Sequence, residues 1–145
     1  MEIRLLKDGE RKDGLELAWD VFLRYDATDY SRESIDAFGY AIHDQRYVRE
    51  LKLYGAFENG ELRGVLATRE KGNHIALLFV DGAYHRRGIG RALVEAAKRD
   101  CGAGELTVHS SPYAVEIYRR LGFGLLGEKE EKDSIAYFPM KWRRK

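Results

Sequence analysis

The stretch that most constrains the fold runs from His74 to Cys101. An apolar segment, Ile75-Ala76-Leu77-Leu78-Phe79-Val80, leads through Asp81-Gly82-Ala83-Tyr84 into His85-Arg86-Arg87-Gly88-Ile89-Gly90-Arg91 and an alanine-rich segment. The apolar run is too short for a free-standing helix and is apolar at both alternating positions, which predicts a central strand covered on each face. Beyond the glycines, Ile89, Ala92, Leu93, Ala96 and Ala97 recur with the spacing of a helix that rests on a sheet. The spacing therefore predicts a strand, a glycine turn and a helix, with the period changing at Gly88.

Glycine at 88 and 90 lets a bulky ligand approach the backbone, and the unpaired N–H groups of a first helical turn carry the positive end of the helix dipole. A phosphate fits such a place. Arg86, Arg87 and Arg91 add positive charge to an end where cations are unfavourable without an anion, and that misplacement argues for a ligand. A dinucleotide fingerprint is excluded because Leu93 holds its third glycine position and the motif lies mid-chain. A P-loop is excluded because no Gly-Lys-Ser/Thr follows.

The chain has 145 residues and a formal net charge of +1, so residues 1–145 fit one domain. That balance gives no electrostatic case for nucleic acid or an anionic membrane. No apolar run approaches the length of a membrane span, and Met1-Glu2-Ile3-Arg4 has no signal-peptide core, so a cytoplasmic protein is expected. Cys101, the single cysteine, reads as a packing residue in a reducing compartment. His43, His74, His85 and His109 are scattered without ligand spacing, so no metal is expected.

In chain order, Met1 to Leu6 reads as a short strand, and Leu15, Ala18, Trp19 and Phe22 mark a helix over 10–24. Ser31 and Glu33 open a second helix with Ile35, Phe38 and Ile42 on its buried face. Around that start lie Asp26, Asp29, Glu33 and Asp36 among Tyr25, Tyr30 and Phe38, a setting that suits a cationic amine. Leu51 to Phe57 and Leu62 to Thr68 form a hairpin about Asn59-Gly60, and His74 to Val80 adds a third strand. After the glycine helix, Glu105 to His109 returns as a strand by a parallel crossover, which makes the sheet mixed. Ser110-Ser111-Pro112-Tyr113 opens a last helix that stops at Gly122. Phe123 to Leu126 and Ser134 to Met140 are closing strands around a charged turn, and Trp142 to Lys145 reads as a tail.

His85-Arg86-Arg87-Gly88-Ile89-Gly90 resembles the Gln/Arg-x-x-Gly-x-Gly/Ala signature of the GCN5-related N-acetyltransferase (GNAT) family, with His85 in the Gln/Arg position. The segment from Ser111 to Phe123 resembles the family's second motif, Asn-x-x-Ala-x-x-Phe/Tyr-Tyr-x-x-x-Gly-Phe. Ala114, Tyr118, Gly122 and Phe123 stand in register, Ser111 replaces the asparagine and Ile117 the first aromatic. One helix and one strand separate the two motifs, as in the family. Element order and resemblance together imply an α/β (α+β) domain with a mixed, mostly antiparallel sheet of about six to seven strands and about four flanking helices.

The resemblance implies acetyl transfer from acetyl-coenzyme A to a primary amine by direct attack on the thioester. The leaving thiolate must be protonated, and a phenol with a reference pKa near ~10 can donate that proton and recover it. Tyr118 is the expected general acid. Many family members carry a basic glutamate on the strand before the glycine turn; here that strand offers His74 as a candidate base and Asp81 beyond its end, with Glu33 and Asp36 as alternatives. The pantetheine arm is expected along the main chain of Leu78, Phe79 and Val80. The pyrophosphate is expected on the amides from Arg86 through Arg87, Gly88, Ile89 and Gly90 to Arg91, with arginine side chains reaching its oxygens. Ser111 and Ala114 complete the expected coenzyme contacts, and Tyr113 is expected to be a packing or coenzyme-wall residue rather than an acid. The expected partners are acetyl-coenzyme A and an amine, on a small molecule or a protein, in a monomer or a homodimer paired through the edge of Ser134 to Met140. The rival from another class is a non-catalytic acyl-coenzyme A sensor with the same fold.

Overall fold

The computed structural model describes residues 1–84, 87–132 and 135–145. In chain order it contains β1 (Glu2–Leu5), α1 (Arg11–Val21), α2 (Arg32–His43), α3 (Gln45–Arg49), β2 (Lys52–Glu58), β3 (Glu61–Arg69) and β4 (His74–Val80). Then follow α4 (Ile89–Asp100), β5 (Glu105–Ser110), α5 (Val115–Arg120), β6 (Gly124–Leu125), β7 (Glu130–Lys132) and β8 (Ile135–Arg143). Helix α1 runs on through a π turn at Phe22–Asp26 and a 3-10 turn at Ala27–Asp29 before α2 begins. Ser31 caps α2 by accepting from the Ser34 N–H at 3.1 Å. Among the described residues no helix is long and apolar enough to cross a membrane.

The strand order is β1-β2-β3-β4-β5-β8-β6, with β7 also paired to β8. Neighbours are antiparallel except β4 and β5, whose parallel contact is two residue pairs long, His74 with Thr107 and Ile75 with Val108. The β2–β3 turn has Asn59 at φ 52° and Gly60 at φ 80°, the left-handed pair that a tight hairpin requires. On the next strand pair Ala67 faces Leu77 and Thr68 faces Ile75, so Ala76 is a bulge residue.

Side chains from the two faces of the sheet build two cores. On one face Ile89, Leu93, Val94, Ala96 and Ala97 of α4, with Tyr118 of α5, pack on Tyr54, Leu66, Leu106, Val108 and Met140. On the other, Ala18, Ile42 and Val48 cover Leu53, Phe57, Val65, Ala67 and Leu77. Full burial of a leucine such as Leu93 contributes about 1.5–3 kcal/mol, which is how the alanine-rich stripe of α4 holds its glycine end in place. Gly64 sets the distance of approach: a β-carbon there would lie 2.8 Å from Ile89 Cγ2 and 3.2 Å from Leu93 Cδ1.

The layout agrees with the mixed, mostly antiparallel sheet expected from the sequence, and the added elements are short. Strand β7 occupies the stretch read as a charged turn, and α3 is a five-residue helix that the pattern did not announce. Trp142 and Arg143 belong to β8 rather than to a tail, because β5 pairs with β8 as far as Arg143. Strand β8 is no free edge, since it lies between β5 and β6, so pairing of copies through that edge loses its basis. Ser134 itself lies outside the described residues. Helix α5 starts at Val115, later than Pro112, because Ser111 closes a separate turn first: its Oγ and its carbonyl both accept from the Ala114 N–H, at 3.2 and 3.1 Å.

Candidate active site

The site is a slot through the sheet. After Ile75 and Val108 no strand is hydrogen-bonded to the β5-facing edge of β4 among the described residues, and the strands part. The bulge at Ala76 falls at that point and reverses the side-chain alternation. Ile75, Leu78 and Val80 face the α4 core, whereas Leu77 and Phe79 face the α1–α3 core. Backbone from the middle of the sheet is thus exposed to a cleft from both faces.

Two arms meet there. The arm on the α4 side, about 500 Å³, is lined by Leu78, Val80, Tyr84, Gly88, Gly90 and Arg91. The arm on the α2 side, about 320 Å³, is lined by Phe22, Asp29, Tyr30, Phe38, His109 and Ser111 among others. Asp26, Leu78, Phe79, Ala114 and Tyr118 line both. The π turn brings Tyr25 and Asp26 over the α4 arm; a β-carbon on Gly82 would collide with the Tyr25 hydroxyl, so that glycine admits the close approach.

Tyr118 sits where the arms join. Its side chain is 6% exposed, and burial pushes its phenol well above the usual value, so it holds its proton at neutral pH. Gly122, at φ 95°, ends α5 one turn later and turns the chain into Phe123. The α2 arm is acidic and aromatic: Phe22, Tyr30, Phe38 and Phe79 form a ring cluster with centroid separations of 4.5 to 6.4 Å. Burial, then the charges of Asp26, Asp29 and Tyr113, raise the Tyr30 phenol.

Of the residues expected to bind a coenzyme, Leu78, Phe79, Val80, Gly88, Ile89, Gly90, Arg91 and Ala114 line the α4 arm, and Ser111 lines the α2 arm. Gly88 is the N-cap of α4 at φ 80°, a conformation that favours glycine, while a β-carbon on Gly90, which lines the arm, would meet nothing within 4 Å. The Arg87 guanidinium lies 5.0 Å over the Tyr84 ring, which the Arg63 guanidinium also covers, at 4.5 Å. His85 and Arg86 lie outside the described residues.

His74 is 5% exposed and lines neither arm. The Thr107 hydroxyl donates to the Asn73 carbonyl at 3.3 Å, so at 2.7 Å it accepts from His74 Nδ1–H, which fixes the tautomer. Burial, then Arg69 and His109, bring the His74 pKa down to about 4, so the ring is neutral. Asp81 is committed to its loop, accepting from the Ala83 N–H at 3.1 Å and from Arg63 at 3.2 Å. Asp36 pairs with Arg32 at 3.3 Å; neither it nor Glu33 lines an arm. Cys101 is buried and donates to the Lys98 carbonyl at 3.2 Å. Among the described residues no three His, Cys, Asp or Glu side chains are grouped to hold a metal ion.

Among the cleft-lining residues, His109, Phe22 and Tyr84 were not singled out for the site from the sequence. His109 follows Thr107 by two residues on β5 and so shares its face, the one with the aromatic cluster. That parity rests on the parallel register that sets Thr107 opposite His74.

A model of the acetyltransferase (GNAT) domain matches residues 26–144. Solved structures with the same fold include a GCN5-related N-acetyltransferase from Rhodopseudomonas palustris, 21% identical, with a TM-score of 0.84 over 98% of this chain and 94% of that one. The PaiA N-acetyltransferase from Thermoplasma acidophilum, solved in complex with coenzyme A, is 21% identical, with a TM-score of 0.76 over 98% of each chain. Tetrahymena GCN5 is 16% identical, with a TM-score of 0.71 over 100% of this chain and 97% of that one. With the family model matching well over half of the chain, including β4, α4 and α5, the chain belongs to the GNAT acetyltransferase family.

Proposed function

We propose that the protein, acting as a single domain, transfers acetyl from acetyl-coenzyme A to a primary amine by direct attack, with Tyr118 as general acid. The observation that carries this reading is that Tyr118 lines both arms where the sheet opens. The α4 arm takes the coenzyme: backbone of Leu78 to Val80 borders it along the pantetheine path, and the α4 N-terminus with Gly88, Gly90 and Arg91 receives the pyrophosphate. The complex of the PaiA relative with coenzyme A supports that choice of donor. The α2 arm takes the amine, because Asp26 and Asp29 favour a cation and the surrounding rings favour its apolar body.

In the reaction the amine nitrogen bonds to the thioester carbon from the α2 side. The C–S bond breaks, and Tyr118 gives its proton to the departing sulfur. A phenol that burial holds protonated is suited to that role. A covalent acyl-cysteine route is unsupported, since the Cys101 thiol lies in the core away from both arms.

The test is release of free coenzyme A thiol from acetyl-coenzyme A with a panel of amines, alongside calorimetric binding of the coenzyme. Amine-dependent thiol release carries the proposal. Tight coenzyme binding with no release for any amine would instead make the domain an acyl-coenzyme A sensor.

A further inference from the structure

An amine held near two carboxylates arrives as its ammonium, which has no lone pair for attack, so a proton must leave before the C–N bond can form, and a base in the α2 arm would speed that step. Asp26 and Asp29 are ill-suited, since a carboxylate is a far weaker base than an alkylamine and the same charges that hold the cation resist its loss. His74 lies outside both arms and already donates its Nδ1–H to Thr107. Tyr118 must keep its proton for the sulfur.

His109 meets the requirement. It stands one residue past the last parallel pair, at the fork of β4 and β5, with an exposed side chain that lines the α2 arm. Its ring is fixed from two sides: it stacks on Tyr137 of β8 with centroids 4.2 Å apart and planes 22° apart, and it meets the His74 ring edge to face at 4.7 Å. Among the described residues, the titratable groups that touch its ring or line the arm with it include His74 and Tyr137, Asp26, Asp29 and Tyr30 across the arm, and Tyr113 and Tyr118 beside α5. Imidazole is the side-chain type whose charge changes near physiological pH, which suits a base working at pH 7.

Resting on the acetyl-transfer reading above, we propose that His109 is the catalytic base that deprotonates the bound ammonium. His109 takes one proton and the amine lone pair forms the C–N bond. The C–S bond breaks as the Tyr118 proton moves to sulfur. The second N–H proton then returns to the Tyr118 oxygen, and His109 releases its proton to solvent. Base and acid thus approach the slot from opposite faces of the sheet, which keeps the two proton transfers apart.

The experiment is the pH profile of kcat/KM for the best amine of the panel, in the wild type and in His109→Gln, with coenzyme affinity measured on both. An acid-side limb, where the base becomes protonated, is expected in the wild type. His109→Gln should lose that limb and run about 10²-fold slower at pH 7, with coenzyme affinity within about twofold and the gap narrowing toward the pKa of the amine. Free imidazole should restore part of the rate to His109→Ala. A limb that persists in His109→Gln with its rate within about twofold of wild type overturns the assignment and leaves the acetyl-transfer reading standing. A wild type that binds coenzyme and acetylates no amine removes both.

Discussion

Phe123 holds Tyr118 twice. Its N–H donates to the Tyr118 carbonyl at 3.0 Å while its ring meets the tyrosine ring edge to face at 5.4 Å. With the Gly122 N–H donating to the Arg119 carbonyl at 3.0 Å, this is a Schellman ending complete with its apolar contact. The Tyr-x-x-x-Gly-Phe pattern is therefore a device for stopping a helix, and the stop aims the phenol at the slot.

Tyr118→Phe removes the acid and keeps the shape. Turnover should fall about 10²-fold with coenzyme affinity unchanged and the ring contact to Phe123 intact. Thiol release and calorimetry measure the two separately; unchanged turnover would take Tyr118 out of the mechanism.

Gly122→Ala tests the aim without touching the phenol. The residue must stay at φ 95°, and its β-carbon would lie 3.2 Å from Trp142 Cδ1, so a loss of about 1–2 kcal/mol is expected. If the helix stop positions Tyr118, turnover should drop at temperatures where the variant is still fully folded. Full activity in a destabilised variant would make the stop purely structural.

Gly90→Ala should separate stability from binding. The new methyl group meets nothing in the protein, and alanine favours the helix by up to about 1 kcal/mol, so the melting temperature should hold or rise. Coenzyme affinity should fall, since Gly90 lines the α4 arm where the pyrophosphate is proposed to approach the backbone. Affinity equal to wild type would place the phosphates elsewhere.

The strand, glycine turn and helix were legible because each is written in a local rule: a change of period at Gly88, a left-handed residue that must be glycine, an apolar stripe every third or fourth residue. The Gly122 stop was legible for the same reason. The bulge at Ala76 was not, because every residue from Ile75 to Val80 is apolar and alternation carries no parity to read. That silence hid which histidine reaches the cleft: His74 has the titration expected of a free base only until its burial is known, whereas His109 depends on a parallel register two pairs long. Strand β7 was hidden for a different reason, since Glu130 and Glu131 are exposed and are ordered only by pairing with β8.

Replacing Asp26 and Asp29 together by Asn keeps the volume of the α2 arm and removes its charge. KM for the amine should rise about tenfold or more, and the penalty should shrink at pH values where the amine is neutral. A KM unchanged across pH would mean that the amine does not bind beside these carboxylates.

His74 offers a prediction about stability that is independent of chemistry at the slot. Its folded pKa is about 4 and its unfolded value about 6.5, so between those values the unfolded chain takes up a proton that the folded chain does not. The neutral ring's contribution is therefore complete above about pH 6.5 and is lost as pH falls toward 4, by at most about 3 kcal/mol. Carboxylates titrate in the same range, so the readout is a difference. The stability gap between wild type and His74→Gln, measured by urea unfolding, should be narrower at pH 4.5 than at pH 7. Parallel curves would mean that burial does not hold His74 neutral, and would return it to consideration as a group that exchanges protons with the cleft.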